Sequence, residues 1–225
     1  MNINELKWTR SQLWEGCILA SIAHAIMVAH YPELSNEHSW DGMNYSVQDS
    51  SGARGTITFH HKYCIGAFRD EHSSRILGRI DNSLKYFKGA PDEVIRLAEE
   101  ETLQYLLDEI EGNVFPVITT AFWGYENRLF TTDLFDDMWQ NGGFLLERQV
   151  SDFDSAINEW IKYYDMSDVQ VKLLKSIYAR KITNPNNKII LSKDEITMIG
   201  SNDLEGLKES KISFEEINIS FGEAL

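Results

Sequence analysis

Residues 43–70 read MNYSVQDSSGARGTITFHHKYCIGAFRD. Tyr45 and Val47, then Ile57 and Phe59, then Cys64, Ile65, Ala67 and Phe68 form three apolar groups. Ser50-Ser51-Gly52 and Gly55 supply turn chemistry between them. Successive side chains on a strand point to opposite faces, so short apolar runs bounded by turn residues predict strands. The stretch predicts an antiparallel meander of three strands. Ile76–Ile80 and Leu84–Phe87 would extend it, with Asp81-Asn82-Ser83 as the connecting turn.

Working outward, the pattern changes to helical. Ser11–Tyr31 predicts a helix, with Thr9 and Gln12 as a capping box and Pro32 as its stop. Between Cys17 and Ala29 it is apolar nearly all round, which predicts burial on most sides. Gly16 is its weak point. Pro91 opens a second helix, with Asp92 and Glu93 against the positive end of the dipole. Val94, Leu97, Ala98, Leu103, Leu106, Leu107 and Ile110 carry its apolar spacing as far as Gly112.

Further along, Val114–Phe122 predicts an edge strand, because Pro116 cannot donate to a ladder. Thr132 is placed to cap a short helix through Trp139, ended by Gly142-Gly143 and followed by a strand at Phe144–Val150. Ser151 and Ser167 are placed to cap two amphipathic helices. Ile189–Leu191 and Ile196–Ile199 predict a hairpin, and Ile217, Ile219 and Phe221 a last strand. Helices and strands do not alternate regularly. The expectation is a single α+β domain over 1–225: a mostly antiparallel sheet, a buried N-terminal helix and several amphipathic helices.

The 225 residues include 21 basic and 35 acidic ones, for a net charge of −14. Neutralising phosphates needs an excess of Lys and Arg, so this balance argues against nucleic acid and against anionic membranes. It favours steering toward a basic protein. The apolar run Cys17–Ala29 is shorter than the ~20 residues that span a bilayer. Two cysteines without zinc spacing predict reduced thiols and a cytoplasmic location. No phosphate-loop, dinucleotide, nucleophile-elbow or HExxH pattern occurs, so no cofactor and no metal are expected.

Three sets of residues could carry function. Residues 133–168 hold nine acidic and two basic side chains, interleaved with aromatics. Asp136, Asp137, Trp139, Asp154 and Tyr163 are the candidates there for an interface, since aromatic anchors with an acidic rim suit a basic protein partner. An immunity or inhibitor protein is the most concrete form of that expectation. Residues 54–88 hold seven basic and three acidic side chains, and Arg69, His72 and Arg75 are candidates for a small anionic ligand.

The third set is Cys17, His38 and Asp49. A thiol near a helix N-terminus is activated by the dipole, and a nucleophile needs a base and a group to orient it. The order Cys, His, Asp resembles that of transglutaminase-like and papain-like cysteine hydrolases. The resemblance implies Cys17 as nucleophile, His38 as base and Asp49 as orienter of a hydrolase or acyltransferase.

Overall fold

The computed structural model describes residues 3–78 and 83–222. The expected turn at Asp81-Asn82-Ser83 falls largely on residues 79–82, outside the described residues. The elements are β1 (Asn4–Glu5), α1 (Arg10–Met27), β2 (His38–Asp41), β3 (Asn44–Gln48), β4 (Ala53–Phe59), β5 (Tyr63–Asp70), α2 (Asp92–Glu100), β6 (Leu107–Ile110) and β7 (Asn113–Pro116). They continue with β8 (Thr120–Tyr125), β9 (Arg128–Thr131), α3 (Phe135–Gln140), α4 (Phe153–Tyr164), α5 (Asp168–Thr183), β10 (Ile189–Leu191), α6 (Lys193–Ile199), α7 (Leu204–Glu216) and β11 (Ile219–Phe221). The class is α+β. The chain divides into two compact units, Met1–Leu13 with Met43–Glu147 and Trp14–Gly42 with Arg148–Leu225.

In the first unit, strands lie in the order β1-β9-β8-β5-β4-β3, each antiparallel to its neighbour. The three-strand meander is β3, β4 and β5. Gly55 is not a turn residue: it sits inside β4 directly opposite Phe68. A Cβ at Gly55 would overlap the Phe68 ring, and one at Gly66 would overlap the ring of its own cross-strand partner, Phe122. Each phenylalanine thus covers a glycine on the next strand, which returns the packing that a bare backbone forfeits.

On the opposite face, Ile65 and Ala67 of β5 and Ala121 and Trp123 of β8 pack against Val94, Leu97 and Ala98 of α2. Helix α2 stops at Glu100. Leu103 and Leu106, expected to continue it, lie instead in a 3-10 turn (Thr102–Leu106) that tucks both under the same sheet face. The predicted strands at 76–80 and 84–87 are likewise replaced, where described, by 3-10 turns at Ser74–Gly78 and Ser83–Phe87. Val114–Phe122 is not one edge strand. It splits into β7 and β8, and β8 is internal, between β5 and β9.

In the second unit, α1 from Trp14 onward is the core element. It is buried from Cys17 to Ala29 and ends at Met27 rather than Tyr31. Ala156, Ile157, Trp160 and Tyr164 of α4, Leu173, Leu174 and Ile177 of α5, and Phe214 of α7 surround it. Gly16, the expected weak point, lies inside α1. A Cβ there would overlap the main-chain oxygen of Gln149, so only glycine permits that approach. Gly206 of α7 meets the main chain of Ala29 in the same way, and Ser210 Oγ donates to the Ala25 carbonyl at 2.5 Å.

The predicted strand Phe144–Val150 begins as a 3-10 turn, Gly143–Leu146. Asp152, rather than Ser151, caps α4 by accepting from Ser155 N–H, whereas Ser167 caps α5 in a capping box with Gln170. Ile196–Ile199 is the end of α6, which Ser192 and Glu195 cap. The partner of β10 is β11, and the pair is parallel.

Candidate interaction surfaces

The segment LDEIEGNVFP at 107–116 forms a two-stranded hairpin separate from the main sheet of the first unit. Glu111 (φ 52°) and Gly112 (φ 78°) both take the left-handed conformation that a tight two-residue hairpin turn requires. The pairs are Ile110 with Asn113, Glu109 with Val114, Asp108 with Phe115 and Leu107 with Pro116. A lone hairpin is marginal in water, so its base needs anchors. Arg69 Nη2 donates to Asp108 Oδ2 at 2.8 Å, Val117 N–H donates to the Leu106 carbonyl, and Ser83 Oγ donates to the Pro116 carbonyl. The Arg69 guanidinium holds the Asp108 carboxyl below its ordinary value.

Both edges of the hairpin are blunted. Pro116 has no N–H, and the Glu109 N–H is taken by Asp108 Oδ1 at 3.0 Å. Strand addition along it is therefore disfavoured, and what it presents is side chains. Val114 is 61% exposed, Leu107 and Phe115 are more than one-third exposed, and the exposed Glu109 and Glu111 lie among them.

A second acidic and apolar surface of the same unit is built on α3. Its cap is Leu134, not Thr132. The Phe135 and Trp139 rings stack at 5.6 Å, and Trp8 packs edge-on against both. Trp139 is half-buried, whereas Leu134, Phe135, Asp136 and Asp137 are exposed. Trp139 thus props a neighbouring apolar side chain instead of presenting its own.

Asp154 and Tyr163 lie in the second unit, on α4. Asp154 is exposed in its first turn. Tyr163 belongs to a cluster that sequence reading missed. Its hydroxyl donates to Glu37 Oε1 at 2.6 Å, and the Arg148 guanidinium lies 4.2 Å from its ring centroid. The Tyr164 hydroxyl reaches Glu37 Oε2 at 3.3 Å and His24 Nδ1 at 3.2 Å. Burial lowers the His24 imidazole to about 4. Burial, then His24 and Arg148, push His38 well below its ordinary value.

The hydrolase set is divided. Cys17 and His38 are both buried in the second unit, and His38 packs edge-on to Trp160. Asp49 belongs to the first unit, in the turn between β3 and β4, where its Oδ1 accepts the Ser51 and Ala53 N–H groups. Burial pushes the other thiol, Cys64, up to about 12. The three candidates for a small anion share one segment, but their charges face carboxylates. Arg69 contacts Glu71 and Asp108, and Arg75 Nη1 lies 2.7 Å from Asp133 Oδ2. His72 is largely exposed, with its Nδ1 3.6 Å from Asp70.

No protein-family model matches the chain, and no curated protein and no solved structure is significantly similar to it. Among the described residues, no helix is long and apolar enough to cross a membrane, and no group of three or more His, Cys, Asp and Glu could hold a metal ion.

Proposed function

We propose that the chain is a cytoplasmic protein-binding module that engages a basic partner, in the manner of an immunity or inhibitor protein. The observation that carries this reading is the composition of its exposed apolar sites. Leu107 and Val114 share one face of the hairpin with Glu109; Leu134 and Phe135 stand with Asp136 and Asp137. Apolar anchors supply binding energy once desolvated, and surrounding carboxylates steer cationic surfaces and reject anionic ones. The net charge of −14 extends that field beyond contact range.

A photo-crosslinking amino acid at Val114 or Phe135, expressed in cells carrying the natural gene, tests the reading. A discrete adduct with a basic protein is expected at both positions and not at Ile190, an exposed apolar residue of β10 that lies between Lys188 and Lys193. The adduct should fade as salt is raised in permeabilised cells, because screening removes the steering. Equal labelling at all three positions, or adducts only with acidic proteins, overturns it.

A further inference from the structure

A cleft of about 510 Å³ in the first unit is lined by His61, Lys62, Tyr63, Pro91, Tyr125 and Glu126. That lies within the ~300–1,000 Å³ of small-molecule sites. Its floor follows from sheet register: Tyr63 of β5 and Tyr125 of β8 are direct cross-strand partners, so both side chains project from one face of the sheet. Both rings are held before any ligand arrives. The Tyr63 hydroxyl donates to the Glu93 carboxylate, and its ring stacks on His60 at 5.8 Å and 10°. Tyr125 stacks on Phe130 at 5.3 Å. A platform fixed in advance loses little side-chain freedom on binding.

The lining carries one cation, Lys62, and one carboxylate, Glu126. His61 and Lys62 form the turn between β4 and β5, and Arg10 Nη2 donates to the His60 carbonyl at 2.7 Å, anchoring that turn. Lys62 makes no ion pair among the described residues. Burial and then the charges of His61, Lys62, Arg10 and Arg96 hold the neighbouring His60 imidazole below its ordinary value. Glu126, at the β8–β9 turn, adds one acceptor at the rim.

We propose that this cleft binds a flat, anionic small molecule of nucleotide size, its ring system on Tyr63 and Tyr125 and its anionic group at Lys62 and His61. Glu126 accepts a hydrogen bond from an amine on the ring. Stacking on an aromatic surface is open to any base, and the Lys62 cation adds orientation.

Calorimetric titration with adenosine 5′-monophosphate, adenosine and inorganic phosphate tests the site on the full chain. The monophosphate is expected to bind at least about tenfold more tightly than either fragment. Lys62→Ala, in an exposed turn, should weaken the monophosphate and leave adenosine unchanged. Tyr125→Leu should weaken both. Absence of saturable binding overturns the proposal. So does phosphate binding as tightly as the nucleotide, or binding that neither variant alters. The site is independent of the partner-binding reading: Val114→Ser should not affect it.

Discussion

The His24 and His38 imidazoles pack edge to face with ring centroids 5.3 Å apart. One comes from the last turn of α1 and the other from the start of β2. Around them stand Trp160 and the hydroxyl of Tyr164, which also reaches Glu37. Both rings are buried and both are neutral at neutral pH, because charging them would cost desolvation twice and set like charges together.

Acid should therefore destabilise the protein through these histidines. In the unfolded chain each titrates near 6.5, whereas native His24 titrates at about 4. Below 6.5 the unfolded state binds protons that the native state does not, so stability falls as pH drops from 6.5 to about 4, and this contribution is complete below that. The loss from His24 alone is roughly 3 kcal/mol. Urea unfolding across that range should show a steep fall in midpoint, and His24→Leu should flatten it. An unchanged slope in the variant would refute the assignment.

Two glycines should respond very differently to alanine. At Gly16 the new methyl meets the main-chain oxygen of Gln149, which cannot step aside without moving the segment that leads into α4. Gly16→Ala should cost about 3 kcal/mol or more. At Gly112 nothing lies within 4 Å of the new Cβ, and only the left-handed conformation opposes it. Gly112→Ala should cost about 1 kcal/mol. Denaturant midpoints of the two variants, compared side by side, check the order.

Asp133 holds two donors in the first unit. Its Oδ2 accepts Arg75 Nη1 at 2.7 Å and Thr120 Oγ1 at 2.6 Å, and its side chain is 13% exposed. Removing the carboxylate leaves a half-buried guanidinium without its counter-charge. Asp133→Ala should cost roughly 2–3 kcal/mol, and Asp133→Ala with Arg75→Met should recover part of that. Thermal or urea unfolding of the double-mutant cycle measures the coupling. Additive losses would show that the pair is not coupled.

Both thiols should be slow to react in the native state. Cys17 and Cys64 are fully buried, and burial holds Cys64 in its protonated form far above neutral pH. Titration with a chromogenic disulfide reagent at pH near 8 should proceed only as fast as unfolding, and denaturant should release both thiols at once. Rapid labelling of one thiol in the folded protein, mapped to Cys17, would favour a nucleophile there.

The exposed apolar side chains should contribute little to stability. Val114→Ser and Leu134→Ser should each shift unfolding by less than about 0.5 kcal/mol, since neither side chain is removed from water in the folded chain. The same substitutions should abolish partner crosslinking. A large stability loss would mean that these residues are retained for packing.

Several readings were open to local chemistry. The Thr9/Gln12 capping box and the Ser167 cap form as the residues suggest, and the alternation across 43–70 yields β3, β4 and β5. Ile196–Ile199, expected as one strand of a hairpin, ends a helix that Ser192 and Glu195 cap. The segment 103–116 misled for a different reason. Leu103, Leu106, Leu107 and Ile110 satisfy helical spacing, but the paired left-handed residues at 111 and 112 turn the chain back on itself.

The order of residues alone determined the fold class, the burial of the first long helix and the acidic field, because these follow from periodicity and charge within short windows. Only tertiary structure decided which apolar side chains stay in water, and that Glu37 meets Tyr163 and Tyr164 from across the chain. The reason is that a polar group removed from water must find a partner wherever packing brings one, and sequence separation places no limit on that search.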